Sequence, residues 1–275
     1  MRIREILRQT QEIPSIDLMA IIGFVLSRSF ERVLTGLEEE IGDEAEARIR
    51  ACIEERKTGK PLAYITGVKE FFSEAFLVDA RVLVPRPETE LLVEEALRLM
   101  GAYAEPRVLD VGTGSGAIGI MLARHGARVV CTDLSFGALL VARENAARLG
   151  VSERIRFVCA DLMAGTREGS AFDLIVANLP YVPCAEWEGL MEDVKAFEPR
   201  TALVGGVSGV EIYERLIASL HGHLSPSGHV LCEMGGDAQA RLVAEIFEKH
   251  GLQSSSLADL EGRKRVLKGT WKSLS

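Results

Sequence analysis

The sequence predicts an α/β fold, in which a small N-terminal helical domain is joined by a β-hairpin to a doubly wound, Rossmann-like sheet. Three observations lead to this prediction. Apolar residues before residue 60 recur at three- and four-residue spacing, strands alternate with helices after residue 105, and a glycine-rich turn follows the first strand of that alternation. We therefore expect a helical domain at 1–70, a hairpin linker at 71–85 and a sheet domain at 86–275.

The helical domain is predicted from two periodic apolar runs, which are Ile3, Ile6 and Leu7, and then Leu18, Ile21, Ile22 and Val25. Pro14 and Ser15 separate the runs and suit the start of the second helix. From 64 to 84 the composition changes to glycine, aromatic and β-branched residues. A short polar turn there divides 71–72 from 75–78, which predicts a hairpin.

Pro85 and Pro87 lie at the start of the sheet domain and fix the entry to an amphipathic helix at 88–100. Strands are predicted at 107–111, 128–132, 155–159, 172–177, 228–233 and near 265–268. Helices are expected to end near Arg124 and Leu149 and to cover 209–221 and 238–250. Such alternation is typical of β-α-β units in a parallel sheet.

Composition excludes several classes of protein. The chain has 275 residues, 47% of them hydrophobic, so it can bury a large core. Its longest apolar run, about nine residues, falls well short of the ~20 that cross a bilayer, and the N-terminus lacks a signal-peptide pattern. We expect a cytoplasmic protein without a membrane partner. The formal net charge of −8 opposes contact with a phosphate backbone, so no direct nucleic-acid binding is expected.

No metal site or disulfide framework is predicted. The five cysteines are scattered and form no Cys-x-x-Cys pair. His221, His223 and His229 flank a turn and have no clustered carboxylate beside them, so we interpret them as exposed loop residues.

The turn after strand 107–111 reads Gly112-Thr113-Gly114-Ser115-Gly116, and with Gly119 it also fits the dinucleotide pattern G-x-G-x-x-G. Glycines let the backbone approach a ligand, and the following helix offers free N–H groups. Asp110 favours S-adenosylmethionine, because a carboxylate beneath the loop can order it and face the positively charged methionine part, whereas it would repel a phosphate. An ordinary tight turn is the alternative.

Acidic residues follow the next two strands. Asp133 is placed to accept both hydroxyls of an adenosine ribose, a role that NAD and S-adenosylmethionine share, unless Asp133 or Ser135 only caps the next helix. Asp161 and Leu162 lie where an adenine ring would be bound. Asp161 can accept from the exocyclic amine and Leu162 can cover a ring face, or Asp161 only turns the chain.

The strand at 172–177 ends in Asn178-Leu179-Pro180-Tyr181. An asparagine oxygen and a neighbouring backbone carbonyl can each accept one N–H of a planar amide or exocyclic amine, while a ring packs on its face. We therefore predict methyl transfer to such a nitrogen. Asn178 Oδ1 and the Leu179 carbonyl would be the acceptors, with Pro180 and Tyr181 packed on the amide plane.

The chain resembles the release factor glutamine methyltransferases, which are S-adenosylmethionine-dependent protein-glutamine N5-methyltransferases. The matching segments are Tyr64-Ile65-Thr66-Gly67, Val84-Pro85-Arg86-Pro87-Glu88-Thr89-Glu90, the loop 110–116, Glu198-Pro199-Arg200 and the stretch 259–265. The resemblance implies methyl transfer to the side-chain amide nitrogen of the glutamine in the Gly-Gly-Gln loop of class 1 peptide-chain release factors. It also implies that domain 1–70 binds that substrate.

One position departs from the family, which carries Asn-Pro-Pro-Tyr where this chain has Leu179 as the second residue. The family uses the backbone carbonyl there, which leucine keeps, and Leu179 precedes a proline and so favours an extended conformation. The resemblance therefore still implies activity. Glu198 and Arg200 would shape the substrate mouth or form a surface pair, and Arg86, Glu88 and Glu90 would cover the cofactor or cap a helix.

Two other functions stay open. The Asn-x-Pro-Tyr device also suits an exocyclic amine of a nucleic-acid base, although the acidic charge balance opposes that substrate. A protein that binds the cofactor without turnover is the third possibility.

Overall fold

The computed structural model describes residues 1–166, 169 and 171–272. The chain divides into two compact units. The helical unit comprises Met1–Val68 with Met191–Phe197, and the sheet unit comprises Lys69–Leu190 with Glu198–Ser275. In chain order the helices are Ile3–Gln9 (α1), Ser15–Leu26 (α2), Phe30–Thr35 (α3), Asp43–Lys57 (α4), Leu62–Thr66 (α5), Glu90–Met100 (α6), Ala117–Arg124 (α7), Phe136–Arg148 (α8), Glu192–Phe197 (α9), Glu211–Ala218 (α10) and Asp237–Lys249 (α11).

The strands, again in chain order, are Val68–Phe71 (β1), Glu74–Leu77 (β2), Arg107–Val111 (β3), Arg128–Asp133 (β4), Ile155–Cys159 (β5), Phe172–Ala177 (β6), Val182–Pro183 (β7), Val204–Gly206 (β8), Leu224–Glu233 (β9), Leu252–Ala258 (β10) and Lys264–Trp271 (β11). β1 and β2 form a hairpin, and β7 and β8 form a short parallel pair. A 3₁₀ turn at Pro87–Thr89 leads into α6.

The helical unit has an apolar core of its own. Leu18, Ile21, Ile22 and Val25 lie on one face of α2 because they repeat every three or four residues, and all four are buried. Residues of α1 and α4 close this core, namely Ile3, Ile6, Ile49 and Ile53. An ion pair with Nε and Oδ2 2.8 Å apart joins Arg56 to Asp17.

The sheet unit is built on seven strands in the order β10-β11-β9-β6-β3-β4-β5. The pairs from β9 to β5 are parallel, and β11 and β10 add antiparallel strands at one edge. The sequence analysis missed β10. Its central residues, 253–256, are exposed and polar, so this edge strand is held by its ladder with β11 rather than by an alternating apolar pattern.

Alternate residues of each central strand face opposite sides of the sheet, as the period of two requires. Val108 and Leu174 pack in one core cluster, and Leu109 and Ile175 pack in the other. Residues of α6 and α7 cover the first side, and residues of α10 and α11 cover the second. This two-sided cover is the doubly wound arrangement that the alternation of elements predicts.

The strand order changes direction at β3, because the chain continues to β4 and β5 on one side and to β6 and β9 on the other. Ligands bind such sheets at the carboxyl ends of the strands flanking this switch point. In the described ranges, none of the helices has the length and apolarity to cross a membrane.

Candidate active site

A cavity of about 550 Å³ lies in the sheet unit at the carboxyl ends of β3, β4 and β6. It is lined by ten of the residues that the sequence singles out, which are Gly112, Thr113, Gly114, Ser115, Asp133, Asp161, Leu162, Asn178, Leu179 and Pro180. Asp110, Gly116, Tyr181, Glu198 and Arg200 do not line it. The contacts of the lining residues and of these five other residues are described in turn below.

The glycine loop brings the backbone close to the acceptor segment. Gly112 has a φ of 72°, and a Cβ there would lie 2.9 Å from Leu179 Cδ2. Gly114, with a φ of 55°, has open space where a Cβ would be. A side chain at either position would be strained by the backbone, so the loop needs glycine to take this path along the cavity.

Asp110 holds the loop from beneath. The residue is fully buried at the end of β3, and its Oδ2 accepts hydrogen bonds from Thr113 Oγ1 at 2.6 Å and from the Gly119 N–H at 3.0 Å. Burial raises the pKa of Asp110 to about 6, although both hydrogen bonds oppose the rise. The carboxyl therefore connects strand, loop and the first turn of α7, and it has no surface open to the cavity.

Asp133 faces the cavity at the end of β4. Its Oδ2 accepts from the Gly114 N–H at 2.9 Å and its Oδ1 from the Ser135 N–H at 2.8 Å. Burial raises the pKa of this carboxyl, against the effect of the two backbone hydrogen bonds. Ser135 Oγ accepts from the Ala138 N–H at 3.1 Å, so Ser135 is the residue that caps α8. Each oxygen of Asp133 keeps a further lone pair for a ligand hydroxyl.

Asp161 is paired with Arg215 of α10, whose guanidinium donates to Asp161 Oδ2. Both side chains are about half exposed and both line the cavity. Leu162, next in the chain, has a φ of 51°, an uncommon conformation for leucine that turns the chain at the cavity wall. Sequence reasoning gave no sign of Arg215.

Asn178 follows β6 and is half-buried. Its Nδ2 donates to Oγ1 of Thr89 at 3.2 Å, and Thr89 itself is buried. The two ends of a side-chain amide point apart, so with Nδ2 directed to Thr89 the Oδ1 atom is left to accept a hydrogen bond. The amide oxygen that the sequence analysis proposed as an acceptor is thus not used by Thr89.

Leu179 is fixed by the hydroxyl of the buried Tyr213. The Leu179 N–H donates to Tyr213 Oη at 3.3 Å, and the Leu179 carbonyl oxygen lies 3.2 Å from the same hydroxyl. That hydroxyl carries one hydrogen, and the 2.7 Å contact with the Glu233 carbonyl oxygen is the shorter one. If Tyr213 donates to Glu233, both lone pairs of the Leu179 carbonyl stay available.

Pro180 and Tyr181 pack against backbone. A Cβ at Gly205 or at Gly209 would overlap the carbonyl oxygens of Pro180 and Tyr181 respectively, and one at Gly235 would lie 3.0 Å from the Tyr181 ring. Burial raises the pKa of the Tyr181 phenol. These glycines leave room for the acceptor segment and fix where its backbone runs.

Glu198 and Arg200, proposed for the substrate mouth, have different surroundings. Glu198 is buried, its Oε1 accepts from Arg86 Nη2 at 2.6 Å, and Arg86 lines the cavity. Arg200 is exposed, with its guanidinium carbon 5.2 Å from the ring centre of Trp187. Glu198 therefore positions Arg86 beside the cavity, and Arg200 packs on an aromatic ring instead of facing it.

Besides Arg215, three residues of the site were not predicted from the sequence, namely Thr89, Tyr213 and Glu233. Thr89 stands between Glu88 and Glu90, whose charges are the stronger signal in the sequence. Tyr213 occupies an inward position of an amphipathic helix, where an aromatic residue is typical of a core. Glu233 is 3% exposed at the end of β9, and burial raises its pKa to about 7. A carboxylate that ends an apolar strand is the same kind of signal as Asn178, so Glu233 was open to prediction.

Within 1–166, 169 and 171–272, no group of three or more His, Cys, Asp or Glu side chains is arranged to hold a metal ion.

Comparison with known proteins identifies both units. Residues 1–67 match the family described as PrmC N-terminal domain, and residues 108–197 match the family described as Methyltransferase domain. The release factor glutamine methyltransferase of Moorella thermoacetica is 39% identical over 258 residues, which cover 92% of this chain and 90% of that protein. The one from Chlorobaculum tepidum is 44% identical over 222 residues, covering 77% and 73%.

Solved structures agree on the fold. The ribosomal protein L11 methylase of Lactobacillus delbrueckii subsp. bulgaricus aligns with a TM-score of 0.53 at 26% identity, over 74% of this chain and 90% of that one. The hMettl16 catalytic domain aligns with a TM-score of 0.59 at 14% identity, over 85% and 84%. The predicted fold class, a Rossmann-like methyltransferase sheet with an N-terminal helical domain, is confirmed.

Proposed function

Since this chain belongs to the release factor glutamine methyltransferases, we propose that residues 178–181 bind the glutamine of the Gly-Gly-Gln loop of class 1 peptide-chain release factors and present its amide nitrogen for methylation. The enzyme is an S-adenosylmethionine-dependent protein-glutamine methyltransferase. The observation that carries the proposal is the side-chain amide of Asn178, which lines the cavity while its nitrogen is occupied by Thr89.

The residues of the cavity fit S-adenosylmethionine, which supplies an electrophilic methyl group when bound. Asp133 offers a carboxylate for ribose hydroxyls, and Gly114 leaves open space above the loop for close approach of a ligand. Leu134 and Leu162 give apolar surface on the same wall for a flat ring. We assign the cofactor to these residues and to the loop 112–116, with Asp110 acting through the loop it holds.

An amide nitrogen is a poor nucleophile because its lone pair is delocalised into the carbonyl. Asn178 Oδ1 and the Leu179 carbonyl accept its two N–H groups, which holds the nitrogen in position and raises its electron density. Pro180, which lines the cavity, packs on the amide plane, and Tyr181, whose ring packs against Gly235, supports the segment from outside the cavity. No base is needed before the transfer, because the nitrogen's extra proton becomes acidic only once the methyl is attached, and water or a nearby carboxylate then takes it.

The helical unit is proposed to bind the release factor. Five of its large apolar side chains are exposed by 41–69%, and these are Ile16, Phe24, Phe30, Leu34 and Met191. Phe30 and Leu34 lie four residues apart on α3 and so share one face. Replacing both with serine is expected to raise KM for the release factor about tenfold with an unchanged Kd for S-adenosylmethionine, since only apolar contact with the protein substrate is removed.

The proposed function is tested by incubating the chain with S-adenosylmethionine and a class 1 release factor, then mapping methylation by peptide mass spectrometry. The expected product carries one added CH₂ group on the glutamine of the Gly-Gly-Gln loop. A release factor with glutamate in place of that glutamine is the matched control, because it keeps the loop and lacks the amide nitrogen.

Absence of the product, with cofactor binding shown by calorimetry in the same preparation, contradicts the proposed substrate. The next acceptors to try are then oligonucleotides with exocyclic amines, on which the same acceptor geometry would act.

A further inference from the structure

Glu233 is a buried carboxyl at the acceptor site that the proposed mechanism leaves without a role. It ends β9, and the register between β6 and β9 pairs Ala177 with Cys232, so Glu233 and Asn178 leave neighbouring strands at the same edge. Glu233 is 3% exposed, and its Oε2 has no hydrogen-bond partner in the described part of the chain. Burying a carboxyl oxygen without a hydrogen-bond partner costs free energy, so this group calls for an explanation.

Thr89 connects this carboxyl to the acceptor. Its Oγ1 accepts from Asn178 Nδ2 at 3.2 Å, which leaves the hydroxyl hydrogen free to be donated elsewhere. The Thr89 hydroxyl and the Asn178 amide both lower the pKa of Glu233, so the three side chains lie close together and form one cluster. The cluster joins the Pro87–Thr89 turn, the end of β6 and the end of β9.

We propose that Glu233 is a positioning residue for methyl transfer: its carboxylate accepts the hydroxyl hydrogen of Thr89 and so holds the amide of Asn178 with its oxygen toward the cavity. The inference rests on the proposed function. Without a fixed acceptor, the Thr89 hydroxyl can turn its hydrogen toward Asn178, and the amide can then flip to present Nδ2 to the substrate. A flipped amide offers a donor where the substrate N–H needs an acceptor.

The positioning of the Asn178 amide through Thr89 depends on the charge of Glu233. Burial raises its pKa to about 7, and the facing charged and titratable groups are Glu88, which raises the pKa further, Arg265, which lowers it, and the phenols of Tyr181 and Tyr213. When protonated, Glu233 becomes a donor and competes for Thr89 Oγ1. The orientation of the Asn178 amide is therefore fixed above about pH 7, and the amide can flip below it. We expect kcat to fall as the pH drops below about 7.

The test compares Glu233→Gln with wild type for kcat between pH 5.5 and 9, at saturating S-adenosylmethionine and release factor. We expect kcat at pH 8.5 to be about tenfold lower, the effect of losing one charged hydrogen bond, and the fall below pH 7 to disappear. Glu95→Gln is the matched control, because Glu95 is 5% exposed but is paired with Arg98 and Lys268. Its pKa of about 2 predicts an unchanged pH profile.

Thr89 provides a second pair of variants should Glu233→Gln fold poorly. Thr89→Val removes the hydroxyl at constant shape and should lower kcat about tenfold, whereas Thr89→Ser keeps the hydroxyl and should restore it. The double variant Glu233→Gln/Thr89→Val should lose no more than either single variant, because the two residues act in one chain of hydrogen bonds. The proposal is overturned if the two losses in kcat multiply in the double variant. It is also overturned if Glu233→Gln keeps the wild-type kcat and pH profile.

Carboxyl-carbon NMR gives a readout that does not need turnover. A resonance absent from Glu233→Gln should titrate near pH 7 in wild type, and its midpoint should rise in Thr89→Val because a hydrogen bond to the carboxylate is lost. A midpoint that Thr89→Val leaves unmoved overturns the connection. If wild type methylates no release factor while this resonance behaves as expected, the proposed function fails and the positioning of Asn178 stands.

Discussion

Gly205 leaves no room for a side chain beside the acceptor segment. A Cβ there would overlap the Pro180 carbonyl oxygen and would lie 2.9 Å from both the Pro180 carbonyl carbon and Tyr181 Cα, about 0.5 Å short of an ordinary 3.4 Å contact. Every one of these atoms is backbone, so no flexible side chain can turn away. Gly205 does not have a positive φ, so alanine suits its backbone and Gly205→Ala changes only the space.

The acceptor segment must therefore move by at least about 0.5 Å, and by more where the carbonyl oxygen overlaps. A misplacement approaching 1 Å lowers kcat by about 10²-fold when the reacting groups depend on alignment. The free energy of unfolding should fall by about 1–3 kcal/mol, as for other overpacked sites. The Kd for S-adenosylmethionine should change much less than kcat, because the new Cβ contacts Pro180 and Tyr181 and no residue of the loop 112–116.

The measurements are kcat for methyl transfer to a release factor, the Kd for S-adenosylmethionine by calorimetry, and thermal unfolding. Gly189→Ala is the matched control, since a Cβ at Gly189 would have no atom of the described residues within 4 Å and the φ of Gly189 is not positive. Wild-type kcat in Gly205→Ala, or an equal loss in Gly189→Ala, would refute the dependence of catalysis on the path of residues 178–181.

Three further changes separate the roles of the site carboxyl and amide groups. Asn178→Ala should lower kcat about 10²-fold with an unchanged cofactor Kd by calorimetry, because one polar stabiliser is lost; full turnover would contradict the assignment. Asp133→Ala should raise that Kd by about tenfold or more, because charged hydrogen bonds to ribose hydroxyls are lost, and an unchanged Kd would leave the residue a structural role only. Burial raises the pKa of Asp110 from 3.8 to about 6, so Asp110 stabilises the fold below pH 3.8 and loses about 3 kcal/mol as the pH rises through 6. Between pH 4 and 6.5, the free energy of unfolding measured with urea should fall in wild type and should lack this fall in Asp110→Asn. If the free energy of unfolding depends on pH equally in the two proteins, Asp110 does not titrate in this range.

The part of the site that sequence predicts is the part that follows strand ends. Parallel strands present their carboxyl ends at one edge, so the loop 112–116, Asp133 and Asn178 are brought together by the strand order alone. Each also stands beside an apolar run that marks its strand. Glycine, carboxylate and amide at those positions therefore indicate a binding site from their place in the chain alone.

The rest depends on packing that spacing does not encode. Thr89 and Asn178 are 89 residues apart in the chain and meet through one hydrogen bond. Glu198 and Arg86 are 112 residues apart, and Glu198 is buried and accepts a hydrogen bond from Arg86. The role of Arg200 in binding substrate, like the other site assignments, stays a prediction. Long-range pairs of polar side chains leave no periodic pattern to detect.

Leu179 shows how the chain can keep the acceptor geometry without the proline of the resembled motif. A proline there would fix φ but would have no N–H, whereas the Leu179 N–H donates to Tyr213 Oη. The Leu179 side chain is 4% exposed and lies against Gly112, so packing restrains the residue as well. Tyr213 also donates to the Glu233 carbonyl, which ties the ends of β6 and β9 together. The conformational restraint that proline would supply locally is thus supplied here by tertiary contacts of Leu179 with Tyr213 and Gly112.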